Sequence, residues 1–107
     1  MLAPISDETF AELKAKHGEG AVCVVATAAG DVALRRPTRA EYLQFTDKIA
    51  DAKNRADAMD RIVRQCVVAP PLAELSEALE TQPGIVVSCV SPLLEMAGVR
   101  EEAAVRK

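Results

Sequence analysis

Pro37 separates two kinds of sequence, and no single secondary structure serves both. Before it, "AVCVVAT" (21–27) and "DVALRR" (31–36) are apolar and β-branched runs joined by "AAGD", a spacing that predicts a hairpin. After it, the apolar residues recur with the helical period and sit behind helix-start signals. A proline at that step ends the second strand, because it has no N–H to give to a ladder. Strand content is therefore expected only before Pro37. Upstream, Ser6 precedes "DETFAELKAKHG", with acids in the first turn, Phe10 and Leu13 on one side, and Gly18 after a basic end, the signature of a short helix. The fold class this implies is α+β: a mainly α-helical domain with an N-terminal helix and a two-stranded β-hairpin, followed by about four helices.

The four helices follow from caps and prolines. Thr38 with Glu41 three residues on is a capping box, and Tyr42, Phe45, Thr46 and Ile49 share a face behind it. Asn54 with Asp57 is a second start of the same kind. Met59, Ile62, Val63, Cys66 and Val67 then form an apolar stripe opposite Asp57, Asp60, Arg61, Arg64 and Gln65. Pro70 and Pro71 end that helix, and Pro71 suits the first turn of the next, where its missing N–H costs nothing. That next helix runs to about Thr81 with Leu72, Leu75 and Leu79 on one side, and Pro83-Gly84 breaks it. A last helix from about Ile85 to Ala97 is expected to be kinked or restarted at Ser91-Pro92, with Gly98 in the C′ position.

The 107 residues read as a single domain. Residues 6–36 supply a helix plus β-hairpin, residues 38–97 a helical part, and residues 99–107 a charged, frayed tail. Phe10, Phe45 and Tyr42 are the only aromatics, so the core is built from aliphatic residues of modest area. No uninterrupted apolar run approaches the length of a membrane span, and the N-terminus lacks the basic and apolar regions of a signal peptide. Cys23, Cys66 and Cys89 are odd in number, widely spaced and without a C-x-x-C pair. They read as buried free thiols of a cytoplasmic protein.

Catalytic patterns are hard to find. The single histidine, His17, has no second histidine and no nearby cysteine to share a metal with, and its place at a helix end suits a cation at the negative end of the dipole. The glycines of "GEGAVCVV" precede a strand, whereas a dinucleotide fingerprint needs them after one. Asp57/Asp60 and Glu74/Glu77 read as solvated charge. No cofactor and no metal are expected, and no catalytic residue stands out.

The net charge of −3 conceals a dipolar layout. Residues 35–64 carry eight basic and five acidic side chains, whereas residues 65–97 carry four acidic and no basic ones. The helices meeting at "VVAPPL" resemble a helix-turn-helix in spacing, but the would-be reading helix carries Glu74, Glu77 and Glu80 and would repel phosphate. Nucleic acid and membrane are thus poor partners, although Arg35, Arg36 and Arg39 cluster. Apolar surface on the last two helices remains. Leu93, Leu94 and Met96 beside the Leu72, Leu75 and Leu79 stripe are the expected partner-binding residues, forming a groove for an amphipathic helix. Self-association of basic middle against acidic end is expected as well.

From Arg36 to Gly98 the chain resembles the small tail assembly chaperones of tailed bacteriophages. The residues that carry the resemblance are "RRPTRAEYLQFTDKIAD", "AMDRIVRQCVVAP", "LAELSEALETQPGIV" and "LLEMAG", in that order after a β-rich start. The resemblance implies a non-enzymatic protein of the infected host's cytoplasm that binds and solubilises the tape measure protein and recruits tail tube subunits during tail morphogenesis. It brings no catalytic residues with it. The alternative is a small structural tail or head-completion protein retained in the virion. A regulatory adaptor or toxin-neutralising module is a third class, which no feature of the sequence favours.

Overall fold

A computed structural model describes residues 2–99 of the chain. The elements run α1 (Asp7–His17), β1 (Val22–Thr27), β2 (Gly30–Arg35), α2 (Arg39–Ile49), α3 (Arg55–Cys66), β3 (Val67–Ala69), α4 (Leu72–Thr81) and α5 (Ile85–Met96). The fold is α+β: a helix, a hairpin and four further helices, with the strands forming one antiparallel sheet in the order β1-β2-β3.

Local chemistry sets most boundaries. The Ser6 hydroxyl accepts from the Thr9 N–H (3.1 Å) to open α1. Thr38 and Glu41 exchange the two bonds of a complete capping box at the start of α2: the Thr38 N–H donates to Glu41 Oε1 (2.8 Å) and the Glu41 N–H to Thr38 Oγ1 (3.2 Å). At the end of α5, Gly98 takes φ +100°, its N–H donates to the Glu95 carbonyl, and the Val99 N–H reaches back to that of Leu94. This is a Schellman closure, for which glycine is the suited residue.

Thr27 and Gly30 pair directly, leaving Ala28 and Ala29 as a two-residue turn. Gly30 has φ +132°, and a Cβ there would overlap the Leu2 carbonyl. The absent side chain lets the N-terminal arm cross the hairpin tip, where the Leu2 N–H donates to Ala29 O (2.7 Å). Strand alternation then assigns the two sheet faces. Cys23, Val25, Val32 and Leu34 face α3 and α5 and join the core with Phe45, Ile62, Val63, Cys66, Leu75, Cys89 and Leu93. Val22, Val24, Asp31 and Ala33 face the other way, and on that side the Ile5 N–H, just before α1, donates to Asp31 Oδ2 (2.9 Å).

Four expectations need correction. Strand is not confined to residues before Pro37: Val67–Ala69 pairs antiparallel with β2, with a register irregularity between Ala33 and Leu34, so the sheet has three strands rather than the two of a hairpin. The cause lies in "VVAPP". Pro70 pushes Ala69 out of helical geometry, and the β-branched pair before it takes up the free edge of β2. Val67, read as the last residue of the α3 stripe, is thus a strand residue. Asn54 precedes α3 but makes no side-chain cap; instead its Nδ2 donates to Asp51 Oδ2 (3.0 Å) within the preceding turn. Pro71 occupies the N-cap of α4 rather than its first turn, its carbonyl accepting from Glu74 and Leu75. Finally, α5 is not restarted at Pro92. It runs unbroken from Ile85, because the carbonyl left without a donor belongs to Ser88, which is exposed to water. Of the tail expected over residues 99–107, residues 100–107 lie outside the described residues.

Candidate functional site

The side chains best equipped for chemistry are committed to the fold. Arg35, at the end of β2, clasps the Glu41 carboxylate with both terminal nitrogens (2.8 and 2.9 Å) and donates to the Gln65 carbonyl (2.8 Å). One guanidinium thus ties β2 to the start of α2 and the end of α3. The Arg35 hydrogen bonds hold the Glu41 carboxyl at about 2, against an ordinary 4.5, with further help from Thr38. Arg36 donates to the Gly20 carbonyl (3.2 Å). Of the three arginines that cluster in sequence, two are therefore engaged with the chain itself, and Arg39 is exposed on the first turn of α2.

Cys66 and Cys89 are fully buried, and burial pushes both thiols up to about 11; proximity to Cys23 adds to the rise at Cys89. Cys23, half-buried in β1, is raised too, first by burial and then by the Glu95 charge. Thiolate chemistry at neutral pH is correspondingly suppressed. Iodoacetamide at pH 7.5 is expected to label Cys23 slowly and Cys66 and Cys89 only after denaturation, with site occupancy read by peptide mass spectrometry. Labelling of Cys66 in the native protein would refute its burial. His17 ends α1 half-buried, and among the described residues no three His, Cys, Asp or Glu side chains converge as a metal site.

The expected groove is not assembled. Leu75 and Leu93 are fully buried and Leu79 nearly so, all within the core, while Leu94 and Met96 are half-buried against it. Only Leu72 projects into solvent, 48% exposed. The stripe that marked these leucines as a binding surface is the stripe by which α4 and α5 hold the domain together. In compensation, sequence reasoning missed Val87, 63% exposed, and Leu43, 48% exposed. Both were within reach of a helical-wheel argument. Ile85, Val86, Cys89, Val90 and Leu93 fill the inward side of α5 and leave Val87 outside, and the Tyr42/Phe45/Ile49 face of α2 excludes Leu43.

The outer side of α4, opposite the leucine stripe, is acidic. Glu74, Glu77 and Glu80 on α4 are exposed and take part in neither of the ion pairs found among the described residues, Arg35–Glu41 and Arg64–Asp60. Arg64 also donates to the Ser76 hydroxyl, fixing the inner side of α4 to α3 and leaving the glutamates outward. Two hollows also open on the surface. One, of about 10 Å³, lies over Phe45, Ala58 and Ile62 between α2 and α3 and has room for about one water. The other, of about 240 Å³, is open to solvent between the hairpin turn (Ala28, Ala29) and the end of α4 (Ala78, Thr81, Gln82), and none of these residues is an acid, a base or a strong nucleophile. The geometry thus offers an exposed leucine on an acidic helix, a feature suited to recognition.

No helix among the described residues is long and apolar enough to cross a membrane. No curated protein matches the chain. The structure of an uncharacterised protein from Bacillus stearothermophilus has a TM-score of 0.73 at 25% identity, over 91% of this chain and 99% of that one. With most of both chains matched, the two proteins share a fold. Residues 13–106 match the family described as Domain of unknown function (DUF6848), and the chain belongs to that family.

Proposed function

We propose that this protein is a non-catalytic assembly chaperone of the bacteriophage tail type, acting in the host bacterial cytoplasm to bind and solubilise the tape measure protein during tail morphogenesis. The observation that carries this reading is helix α4, which exposes Leu72 at its N-terminal end and, on its outer side, the carboxylates of Glu74, Glu77 and Glu80, none of them in an ion pair among the described residues. An amphipathic helix whose apolar stripe is flanked by basic side chains would be a complementary partner for such a helix. The carboxylates of α4 would steer such a partner by charge, and Leu72 offers an apolar contact at the N-terminal end of the helix. The commitment of Arg35 and Glu41 to a structural clamp, and the high pKa of the buried thiols, support a role in binding rather than in catalysis. Tail tube subunits are the second partner this reading implies.

Co-expression tests it. The wild-type chain is expected to shift a co-expressed tape measure protein from the insoluble to the soluble fraction and to co-purify with it. Leu72→Lys combined with Glu77→Lys, a change confined to exposed positions, is expected to abolish that shift while circular dichroism stays unchanged. A tape measure protein that remains insoluble with the wild-type chain, or is solubilised equally by the double variant, contradicts the proposal. Recovery of the protein in purified virions would instead indicate a structural tail component.

A further inference from the structure

Alone among the helices of the described residues, α1 has no buried residue. Phe10 and Leu13, its apolar side, are only half-buried. The Lys14 ammonium lies 4.5 Å over the Phe10 ring, so a charged side chain of the same helix covers one face of that ring. The helix packs on β1, on the sheet face that carries Val22, Val24 and Ala33. Val22 and Ala33 are buried, yet they stand apart from the main core cluster, which fills the other side of the sheet. The sheet thus has a small second apolar layer, and α1 is the helix that lies on it. An isolated helix of 11 residues is marginal in water, so α1 keeps its form only while docked. The chain is fixed on either side of it. Ahead of α1, Leu2 is buried in the core cluster, its N–H donates to Ala29 O (2.7 Å), and the Ile5 N–H donates to Asp31 Oδ2 (2.9 Å). Behind it, the Ala21 carbonyl accepts from the Arg36 N–H (2.7 Å) and Val22 begins β1.

We propose that α1 is a strap. The segment Asp7–His17 unfolds and redocks as one unit between these two anchors, while the three strands and helices α2 to α5 stay folded. Each opening uncovers Val22, Val24 and Ala33 on the outer face of the sheet. Resistance to local opening follows burial, and an element with no buried residue opens at a lower free energy than strands and helices that share a core. The anchors keep the opened segment close to its seat, so redocking is intramolecular and fast. Phe10 and Leu13 are the side chains that hold the strap down, and the main core, from Val32 and Leu34 to Ile62 and Leu93, is the same whether the strap is closed or open. This inference is independent of the chaperone reading, which rests on α4.

Native-state hydrogen exchange of the full-length chain tests it. The Arg36–Ala21 bond sets the ladder so that the amides of Val32 and Leu34, in the central strand, donate to β1. Amides within α1, from Phe10 to His17, are expected to have protection factors on the order of 100-fold or more below those two. Ile62→Val then separates the units, because it shortens a fully buried side chain that is equally buried with the strap closed or open. In this variant the Val32 and Leu34 amides are expected to exchange roughly 2- to 10-fold faster, and the α1 amides at the wild-type rate. Phe10→Ala combined with Leu13→Ala is expected to strip α1 of its remaining protection while Val32 and Leu34 stay protected. Amides of α1 as slow as those of Val32 and Leu34, or speeding up with them in Ile62→Val, would make α1 part of one cooperative unit and overturn the proposal. So would a Phe10→Ala/Leu13→Ala chain that unfolds throughout, or one whose α1 stays protected as in the wild type.

Discussion

Leu93→Asp is expected to leave the chain unfolded at neutral pH. Leu93 is fully buried in the middle of α5, packed into a cluster that reaches from Leu2 through the sheet to α3 and α4. The substitution removes about 2–3 kcal/mol of apolar burial and adds the several kcal/mol of a carboxylate with no partner. A domain of this size has a total stability of roughly 5–10 kcal/mol, and such a loss consumes most of it. Loss of the helical circular dichroism signal is the readout. The control lies six residues earlier on the same helix: Val87→Asp places the same charge on a 63% exposed residue and should change stability by less than about 0.5 kcal/mol. A folded Leu93→Asp protein would mean that the inward side of α5 is an accessible groove after all.

The second large effect is expected at the Arg35 clamp and carries a pH signature. The Glu41 carboxyl is held at about 2 in the folded protein, against an ordinary 4.5, chiefly by the Arg35 hydrogen bonds. A depressed folded-state pKa contributes stability that is fully present above the unfolded value and is lost as pH falls through the folded value. Glu41→Gln should therefore cost about 2 kcal/mol at pH 7, after discounting for solvent screening of a partly exposed pair. The gap between variant and wild type should narrow from about pH 4.5 downward and nearly close by about pH 2. Arg35→Ala should cost more at pH 7, because it also deprives the Gln65 carbonyl and leaves the Glu41 carboxylate without its cation. Denaturant midpoints across pH check both. A pH-independent difference for Glu41→Gln would show that the ion pair contributes nothing.

These two sites also mark where the sequence was legible and where it was not. Helix starts at Ser6 and Thr38, the helix end at Gly98 and the break at Pro83-Gly84 are local, each decided by a residue's bonds to its near neighbours, and the structure places them as read. Strand β3 was missed because its cause is tertiary. Val67 and Val68 continue a helical stripe by period, and only the unfilled edge of β2 and the prolines behind them turn that stretch into a strand. The Arg35 clamp was missed for the same reason: its carbonyl partner, Gln65, lies thirty residues away. The leucines taken for a binding groove illustrate the ambiguity of an apolar stripe. Its period gives a side of the helix, and says nothing about whether the chain or a partner covers it. Leu72, at the stripe's N-terminal end, alone kept the exposure expected of a contact residue.

The reading of the protein as a binding module for a helical partner rests on the acidic face of α4, and one titration measures it directly. A fluorescently labelled helical segment of the tape measure protein, with a basic border along its apolar stripe, is titrated with the wild-type chain and with Glu74→Lys/Glu77→Lys/Glu80→Lys. Saturable binding by the wild-type chain that weakens as salt rises is expected, with a Kd raised on the order of 10- to 100-fold in the charge-reversed variant, for contacts of about 0.5–1 kcal/mol each. Equal affinity of the two proteins for the segment, or no binding by either, would contradict it.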